Sequence, residues 1–321
     1  MNKTNSFNWL DLAFNSKKDL RSLDAILVAA PRRISQQRIK QLVKEYLPKN
    51  NIVFGIAEEP FIENFDGQDK FKTLNINDIK DISNKVIESS SPNKVYTLQY
   101  CQRDLPNIIA KKLFKQVLFI NGSWANSFHN RAEYYQLVKN SVKYQLISPF
   151  CDEVEAKQYA LNYLETDYSK ITLSSKNDVM ELVNVISQDS FDTATQCGVV
   201  IVSKTPENRY KVIVQANNVV VPYKTYAWHF GASKEKNFAP PGDLNYYDTV
   251  HAEVMAIINA QKQKISLKGS SFYINLLPCP TCAKMLALTD IKELYYSVDH
   301  SDGYAVKMLE LAGKKVHRLV L

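Results

Sequence analysis

The sequence predicts an α/β protein in two parts: a Rossmann-like domain with a parallel sheet, then an α/β/α sandwich around a five-stranded mixed sheet. Three observations carry this. The length, 321 residues, exceeds the roughly 250–300 at which a single core stops growing. In the first half, short apolar runs alternate with helical patterns, which is how a parallel sheet buried on both faces reads. In the second half a hairpin comes first and strands then alternate with helices, which makes the sheet mixed. The polar stretch Glu165-Thr166-Asp167-Tyr168-Ser169 places the boundary, giving expected domains 1–165 and 166–321.

In the first domain, Ala25-Ile26-Leu27-Val28-Ala29-Ala30 is an unbroken apolar run and reads as a buried strand. Pro31 ends it, and a helix is expected from Ser35 to Tyr46. Strands follow at Ile52–Ile56, Val95–Tyr100, Gln116–Asn121 and Tyr144–Ile147, separated by helices at Asn77–Ser89, Leu105–Phe114 and Asn130–Lys139. Such folds bind ligands beyond the carboxyl ends of their strands, so Pro31-Arg32-Arg33-Ile34-Ser35 and Asn121-Gly122-Ser123-Trp124 are the candidate loops. Neither Gly-x-x-x-x-Gly-Lys nor Gly-x-Gly-x-x-Gly occurs in a chain of only nine glycines, which disfavours a nucleotide kinase. Effector binding, a second substrate and assembly stay open as roles for this domain.

The second domain starts with a helix, Asn177–Ser187. Strands Cys197–Ser203 and Tyr210–Gln215 follow, joined by the turn Pro206-Glu207-Asn208. After a loop from Pro222 to Tyr247, Asp248 or Thr249 caps a helix buried through Val250, Val254, Ile257 and Ile258, with His251 and Glu253 in its first turn. Strand Ser271–Leu276 runs into Pro278 and a helix beginning near Cys279. Strand Glu293–Val298, a helix Tyr304–Leu311 closed by Gly313, and strand Lys315–Val320 complete the domain.

Two of these helix starts carry chemistry. His251, Cys279 and Cys282 supply an imidazole and two thiols, and the cysteines, three apart on one turn, direct both sulfurs the same way. A helix N-terminus and a metal both favour thiolate. Three protein ligands leave the fourth position of a tetrahedral Zn²⁺ open, which separates a catalytic site from a closed structural one. Glu253 is not needed as a ligand and stands where it can carry protons. A redox Cys-x-x-Cys has no use for the upstream His-x-Glu. A structural zinc site needs a fourth ligand, and neither His300 nor His317 stands at a knuckle spacing.

Residues from about 177 to 321 resemble the cytidine deaminase-like superfamily, and within it most of all the deoxycytidylate deaminases. The resemblance rests on Cys197-Gly198-Val199-Val200-Ile201-Val202, Val250-His251-Ala252-Glu253-Val254-Met255-Ala256-Ile257, Leu277-Pro278-Cys279-Pro280-Thr281-Cys282-Ala283-Lys284 and Leu309-Glu310-Leu311-Ala312-Gly313. It implies a zinc-dependent hydrolase acting on a pyrimidine nucleotide, dCMP to dUMP with release of ammonia. Hydroxide activated by zinc would attack C4, and Glu253 would shuttle the protons. The resemblance further implies a homo-oligomer, and substrate contacts at Ala252, Pro278 and one of Asn217 and Asn218. Read alone, Asn217-Asn218 is equally a turn at a strand end.

The chain departs from the family at Asn217-Asn218-Val219-Val220-Val221-Pro222, where a short turn with Gly and Pro is usual. It departs again at Leu277, where free-base, nucleoside and tRNA deaminases commonly have Glu. A base in RNA or DNA is therefore the alternative substrate. A nucleotide-sensing regulatory protein is the alternative class, which the retained Glu253 argues against.

The loop from Pro222 to Tyr247 is longer than connections usually are. Its Tyr223, Tyr226, Trp228, His229, Phe230, Tyr246 and Tyr247, with Lys224, Lys234 and Lys236, either stack on a base and meet a phosphate or pack the loop down. The net charge of +7 is spread over both halves; it suits a phosphorylated substrate and lacks the dense basic stripe of a nucleic-acid binder. The basic stretch from Arg32 to Lys44 reads as a solvated helix face. No run approaches the roughly 20 apolar residues of a membrane span, and the N-terminus shows no apolar signal core. Five cysteines, two of them committed to metal, make no disulfide framework, which points to the cytoplasm.

Overall fold

A computed structural model describes residues 6–29, 31–169, 171–237, 248–300 and 303–320. The chain divides into two compact units, Met1–Ala160 with Thr225–Tyr246, and Leu161–Lys224 with Tyr247–Leu321.

The first unit runs β1 (Ser6–Asn8), α1 (Trp9–Ala13), α2 (Lys18–Ser22), β2 (Ala25–Ala29), α3 (Gln36–Tyr46), β3 (Asn51–Ala57), α4 (Ile76–Glu88), β4 (Val95–Tyr100), α5 (Leu105–Lys111), β5 (Gln116–Ile120), α6 (Ala132–Lys139), β6 (Lys143–Ile147) and α7 (Glu153–Leu161). Its six strands are all parallel, in the order β1-β4-β3-β2-β5-β6. The apolar run of β2 is buried at every position because it lies inside the sheet, covered on both faces. Side chains alternate between the two layers: Leu27, Val53, Leu98 and Val117 enter one core, Ile26, Ile52, Phe54 and Leu118 the other. Ser35 starts α3 by accepting a hydrogen bond from the Arg38 amide, and an Asn75–Asp78 capping box starts α4. Strand order reverses at β2, with β3 and β4 on one side and β5 and β6 on the other. The two loops expected to bind ligands leave the sheet at that point.

The second unit contains β7 (Thr172–Leu173), α8 (Lys176–Ser187), β8 (Gly198–Lys204), β9 (Tyr210–Asn217) and β10 (Val219–Val220). The chain then lends two short helices, α9 (Tyr226–Phe230) and α10 (Ser233–Asn237), to the first unit. It resumes with β11 (Thr249–Val250), α11 (Ala252–Lys262), β12 (Ser271–Leu276), α12 (Pro280–Ala287), β13 (Glu293–Val298), α13 (Tyr304–Leu311) and β14 (Lys315–Arg318). The sheet order is β14-β13-β12-β8-β9-β7, parallel from β12 to β14 and antiparallel elsewhere. It is mixed, as expected, but has six strands and not five. The extra strand, β7, pairs Thr172 and Leu173 with Lys211 and Tyr210, and two residues are too few to show a period.

One core holds α11, α12 and α13 against the sheet through Ala252, Ala256, Ala283, Leu286 and Leu309; α8 closes the other face. A β-carbon at Gly198 would lie 2.3 Å from the Val183 carbonyl oxygen and 2.7 Å from the Ser187 amide nitrogen, so glycine is what lets α8 approach β8. No helix among the described residues is long and apolar enough to cross a membrane.

Candidate active site

The carboxyl ends of β9 and β12 emerge on the same edge of the mixed sheet, because both run antiparallel to β8. From β12 the chain passes through Leu277, pinned by its amide to the Val298 carbonyl, and buried Pro278 into α12. Cys279 is the N-cap of α12, and its sulfur accepts the amide hydrogen of Cys282 at 3.5 Å. His251 is the N-cap of α11. The expected cap at Asp248 or Thr249 is corrected here: Thr249 and Val250 are taken up in β11, which pairs with β10, and so the helix begins at Ala252. Glu253 keeps its place in the first turn.

These placements bring three ligand atoms together. His251 Nδ1 lies 3.6 Å from the Cys279 sulfur and 3.4 Å from the Cys282 sulfur, and all three atoms lie within 4.8 Å of one another. Zinc–sulfur bonds of about 2.3 Å and zinc–nitrogen bonds of about 2.0 Å at a tetrahedral angle set sulfur and nitrogen about 3.5 Å apart. The donor set and its spacing therefore fit Zn²⁺. Among the described residues this is the group able to hold a metal, and His300 and His317 are not part of it.

The site's protons are arranged around the thiols. The hydrogen bond from Cys282, and after it that from His251, holds the Cys279 thiol well below its ordinary range, while the hydrogen bond to Cys279 and burial push Cys282 up. The hydrogen bond to Cys279 raises His251. Glu253, 4% exposed, is raised by burial, which brings a carboxyl nearer the neutral range in which it can both take and return a proton. It interacts with the Cys282 thiol but supplies no atom to the ligand group.

The two neighbouring asparagines are unlike. The side-chain oxygen of Asn218 accepts from the Cys197 amide, and its NH₂ donates to Asp192 and to the Thr195 carbonyl. Its own carbonyl receives the Ser190 hydroxyl. Asn218 thus ties a turn together. Asn217, paired with Gly198 at the end of β9, is buried without that set of bonds. Asp192 was not legible in the sequence: it also accepts from Thr249 at 3.4 Å, two residues before His251, and burial raises its carboxyl. Nothing in the run Ser190-Phe191-Asp192 signals such a contact in advance. Ala252 is fully buried and packs in the α11 core.

Of the loop aromatics, Trp228 and His229 pack. Trp228, 1% exposed, lies in the first unit with the Arg32 guanidinium 3.5 Å over its ring. His229 shares a 2.8 Å hydrogen bond with Ser148, and Phe230 sits 4.9 Å from Tyr226. Tyr246 and Tyr247, and the Lys234 side chain, lie outside the described residues. The five cysteines are free.

The family model for the cytidine and deoxycytidylate deaminase zinc-binding region matches residues 173–298, a span that includes His251, Cys279 and Cys282, which could hold a metal. The deoxycytidylate deaminase of Enterobacteria phage T2 is 45% identical over 47 residues, which are 15% of this chain and 25% of that protein's length. The probable deoxycytidylate deaminase of Caenorhabditis elegans is 32% identical over 148 residues, 44% of this chain and 68% of that protein. Among solved structures, dCMP deaminase from cyanophage S-TIM5 in complex with dCMP and dUMP is 21% identical, with a TM-score of 0.35, covering 45% of this chain and 96% of that one. The nematode match spans two thirds of its relative, and the zinc-binding region falls on His251, Cys279 and Cys282: the chain belongs to the cytidine and deoxycytidylate deaminase family.

Proposed function

We propose that the chain is a zinc-dependent hydrolase that deaminates a free pyrimidine nucleotide, dCMP to dUMP with release of ammonia. The observation that carries this is Glu253: a buried carboxyl with raised proton affinity, beside the ligand group and not part of it. A closed structural site has no use for such a group. In this reading residues 166–321 carry the reaction and residues 1–165 form the Rossmann-like domain.

His251, Cys279 and Cys282 would hold the metal. Zinc, when bound, acts as a Lewis acid that makes hydroxide available near neutral pH. Glu253 takes the proton released from the attacking water and delivers it to ring nitrogen N3. It then takes the proton of the new C4 hydroxyl and passes it to the amine as the C4–N4 bond breaks, so that cytosine and water become uracil and ammonia. Burial keeps bulk water from competing for that proton. Asn217 is assigned to the substrate's sugar because Asn218 is committed to its turn. The backbone at Ala252 and Pro278 would border the ring. The names of the phage T2 and nematode relatives support dCMP over cytidine.

Ammonia release from dCMP, CMP, dCTP, cytidine and adenosine by zinc-loaded protein tests this reading. Turnover of dCMP above the rest supports it. Silence on every free compound, with turnover on single-stranded RNA or DNA, would overturn it in favour of a polymeric substrate.

A further inference from the structure

Three connections of the second unit meet at the end of the mixed sheet away from His251, Cys279 and Cys282: 262–270 leading into β12, 288–293 into β13 and 310–315 into β14. Backbone hydrogen bonds hold them side by side, from the Gly269 amide to the Asp290 carbonyl, from Lys292 to Ser270 and from Lys315 to Lys292. The Lys314 ammonium fastens the last two, donating to the Thr289 and Ile291 carbonyls at 2.6 and 3.2 Å. The helices fix the polarity: α11 starts at its N-cap His251 and ends at Lys262, and α12 starts at its N-cap Cys279 and ends at its C-cap Leu288.

These connections are basic. They hold six lysines against three carboxylates, and one of the three, Glu293, already accepts from the Tyr295 and Ser271 hydroxyls. Residues 174–178 and 204–211, at the same end, raise this to ten lysine or arginine side chains against five carboxylates, which is five of the chain's seven net positive charges. Among the described residues no carboxylate stands within salt-bridge distance of any of the ten. These cations are scattered through the sequence, and the fold collects them. Two leucines project among them: Leu288, 91% exposed and the most exposed large apolar side chain among the described residues, and Leu311, 78% exposed.

A partner for this face has to answer both the charge and the leucines. A second copy of the same face would set like charge against like. A nucleic-acid backbone answers the lysines and gives the leucines nothing to enter. An anionic bilayer surface answers both: its headgroups attract basic side chains, and apolar side chains gain by entering the boundary with the acyl chains. Both leucines are already presented to solvent, so docking requires no unfolding.

We propose that this end of the second unit docks on an anionic phospholipid surface, with Leu288 and Leu311 in the headgroup boundary and the surrounding lysines on the phosphates. Cosedimentation of the full zinc-loaded chain with vesicles tests it, using phosphatidylcholine alone and phosphatidylcholine with an equal part of phosphatidylglycerol. Wild type is compared with the double variants Leu288→Ser/Leu311→Ser and Lys268→Glu/Lys292→Glu. The expected result is binding to the mixed vesicles at least about tenfold stronger than to phosphatidylcholine, lost at about 1 M salt, and weakened about tenfold or more in each variant. All four positions are exposed, so both variants should keep the wild-type circular dichroism and zinc content. Absence of binding to the mixed vesicles, equal binding to phosphatidylcholine, or binding untouched by the leucine changes would each overturn the proposal. Without vesicle binding, capture of an oligothymidylate would give the face to nucleic acid, and self-association lost in the leucine variant would give it to a second copy. Because the readout is vesicle binding and not ammonia release, its failure and failure of the deaminase reading are separate results.

Discussion

Replacing Trp228 with alanine removes the largest fully buried side chain among the described residues, one that packs in the first unit with the rest of its segment. A tryptophan buries about 150–250 Å². At about 25 cal/mol per Å² that is roughly 4–6 kcal/mol, an upper estimate to be reduced by about 10–40% for a compact unfolded chain. The remainder, about 3–5 kcal/mol, agrees with large-to-small substitutions in cores. Arg32 raises the stake: it is 2% exposed, and the indole under its guanidinium is a desolvated cation–π partner contributing about 1–2 kcal/mol more.

The segment has other anchors, which cap the loss. The Thr225 hydroxyl donates to the Ala156 carbonyl at 2.5 Å, and the Glu235 carboxylate accepts from the Phe128 amide. A net destabilisation of about 3–5 kcal/mol is therefore expected for the first unit in urea titrations followed by circular dichroism. Zinc content should not change, since His251, Cys279 and Cys282, the residues that could hold the metal, lie in the other unit. Gly122→Ala should act in the same direction, because its β-carbon would lie 2.8 Å from Trp228 Cδ1 on a backbone with φ of +71°. A loss below about 1 kcal/mol for Trp228→Ala would refute the burial argument.

Three further outcomes follow from the second unit. Gly198→Ala should cost at least about 1–3 kcal/mol, since backbone atoms of α8 occupy the space and the helix has to retreat; a urea midpoint at the wild-type value would contradict this. Asn217→Ala should raise KM for dCMP with little change in stability, whereas Asn218→Ala should lower the melting temperature by leaving the Cys197 amide and the Asp192 carboxylate without their partner; the reverse pattern would exchange their assignments. Burial raises Asp192 in the folded state, so the fold holds its proton where the unfolded chain has lost it. Its ionisation therefore subtracts stability as pH rises from about 3.8 through the raised value, and Asp192→Asn should flatten that part of the stability–pH curve.

How far the sequence could be read depends on the range of the forces involved. The grouping of His251, Cys279 and Cys282, which could hold a metal, was legible because its pieces are local: Cys279 and Cys282 share one turn, and His251 stands at another helix start. The parallel sheet was legible from runs such as Ala25–Ala29, whose unbroken burial is the mark of a strand covered on both faces. What stayed hidden is non-local. The aromatics between Pro222 and Tyr247 suited base stacking and packing equally well, and for Trp228 the matter is decided by residues distant in sequence: Phe71, Tyr159, and Arg32 about two hundred positions away. β7 and β11 are two residues each, too short for a period, and β11 moves the start of α11 to Ala252. Asp192 matters because of Asn218 and Thr249, which lie 26 and 57 positions further on.

The central claim is that Glu253 carries protons beside a metal it does not bind. Glu253→Gln keeps the shape and the hydrogen-bonding capacity of the side chain and removes its basicity. Zinc content and ammonia release from dCMP, measured on the same preparation, test the claim. The prediction is full zinc occupancy with turnover reduced by at least about 10²-fold. Retained turnover in the zinc-loaded variant would contradict it, and loss of zinc along with activity would make Glu253 a ligand and reopen the assignment of the site.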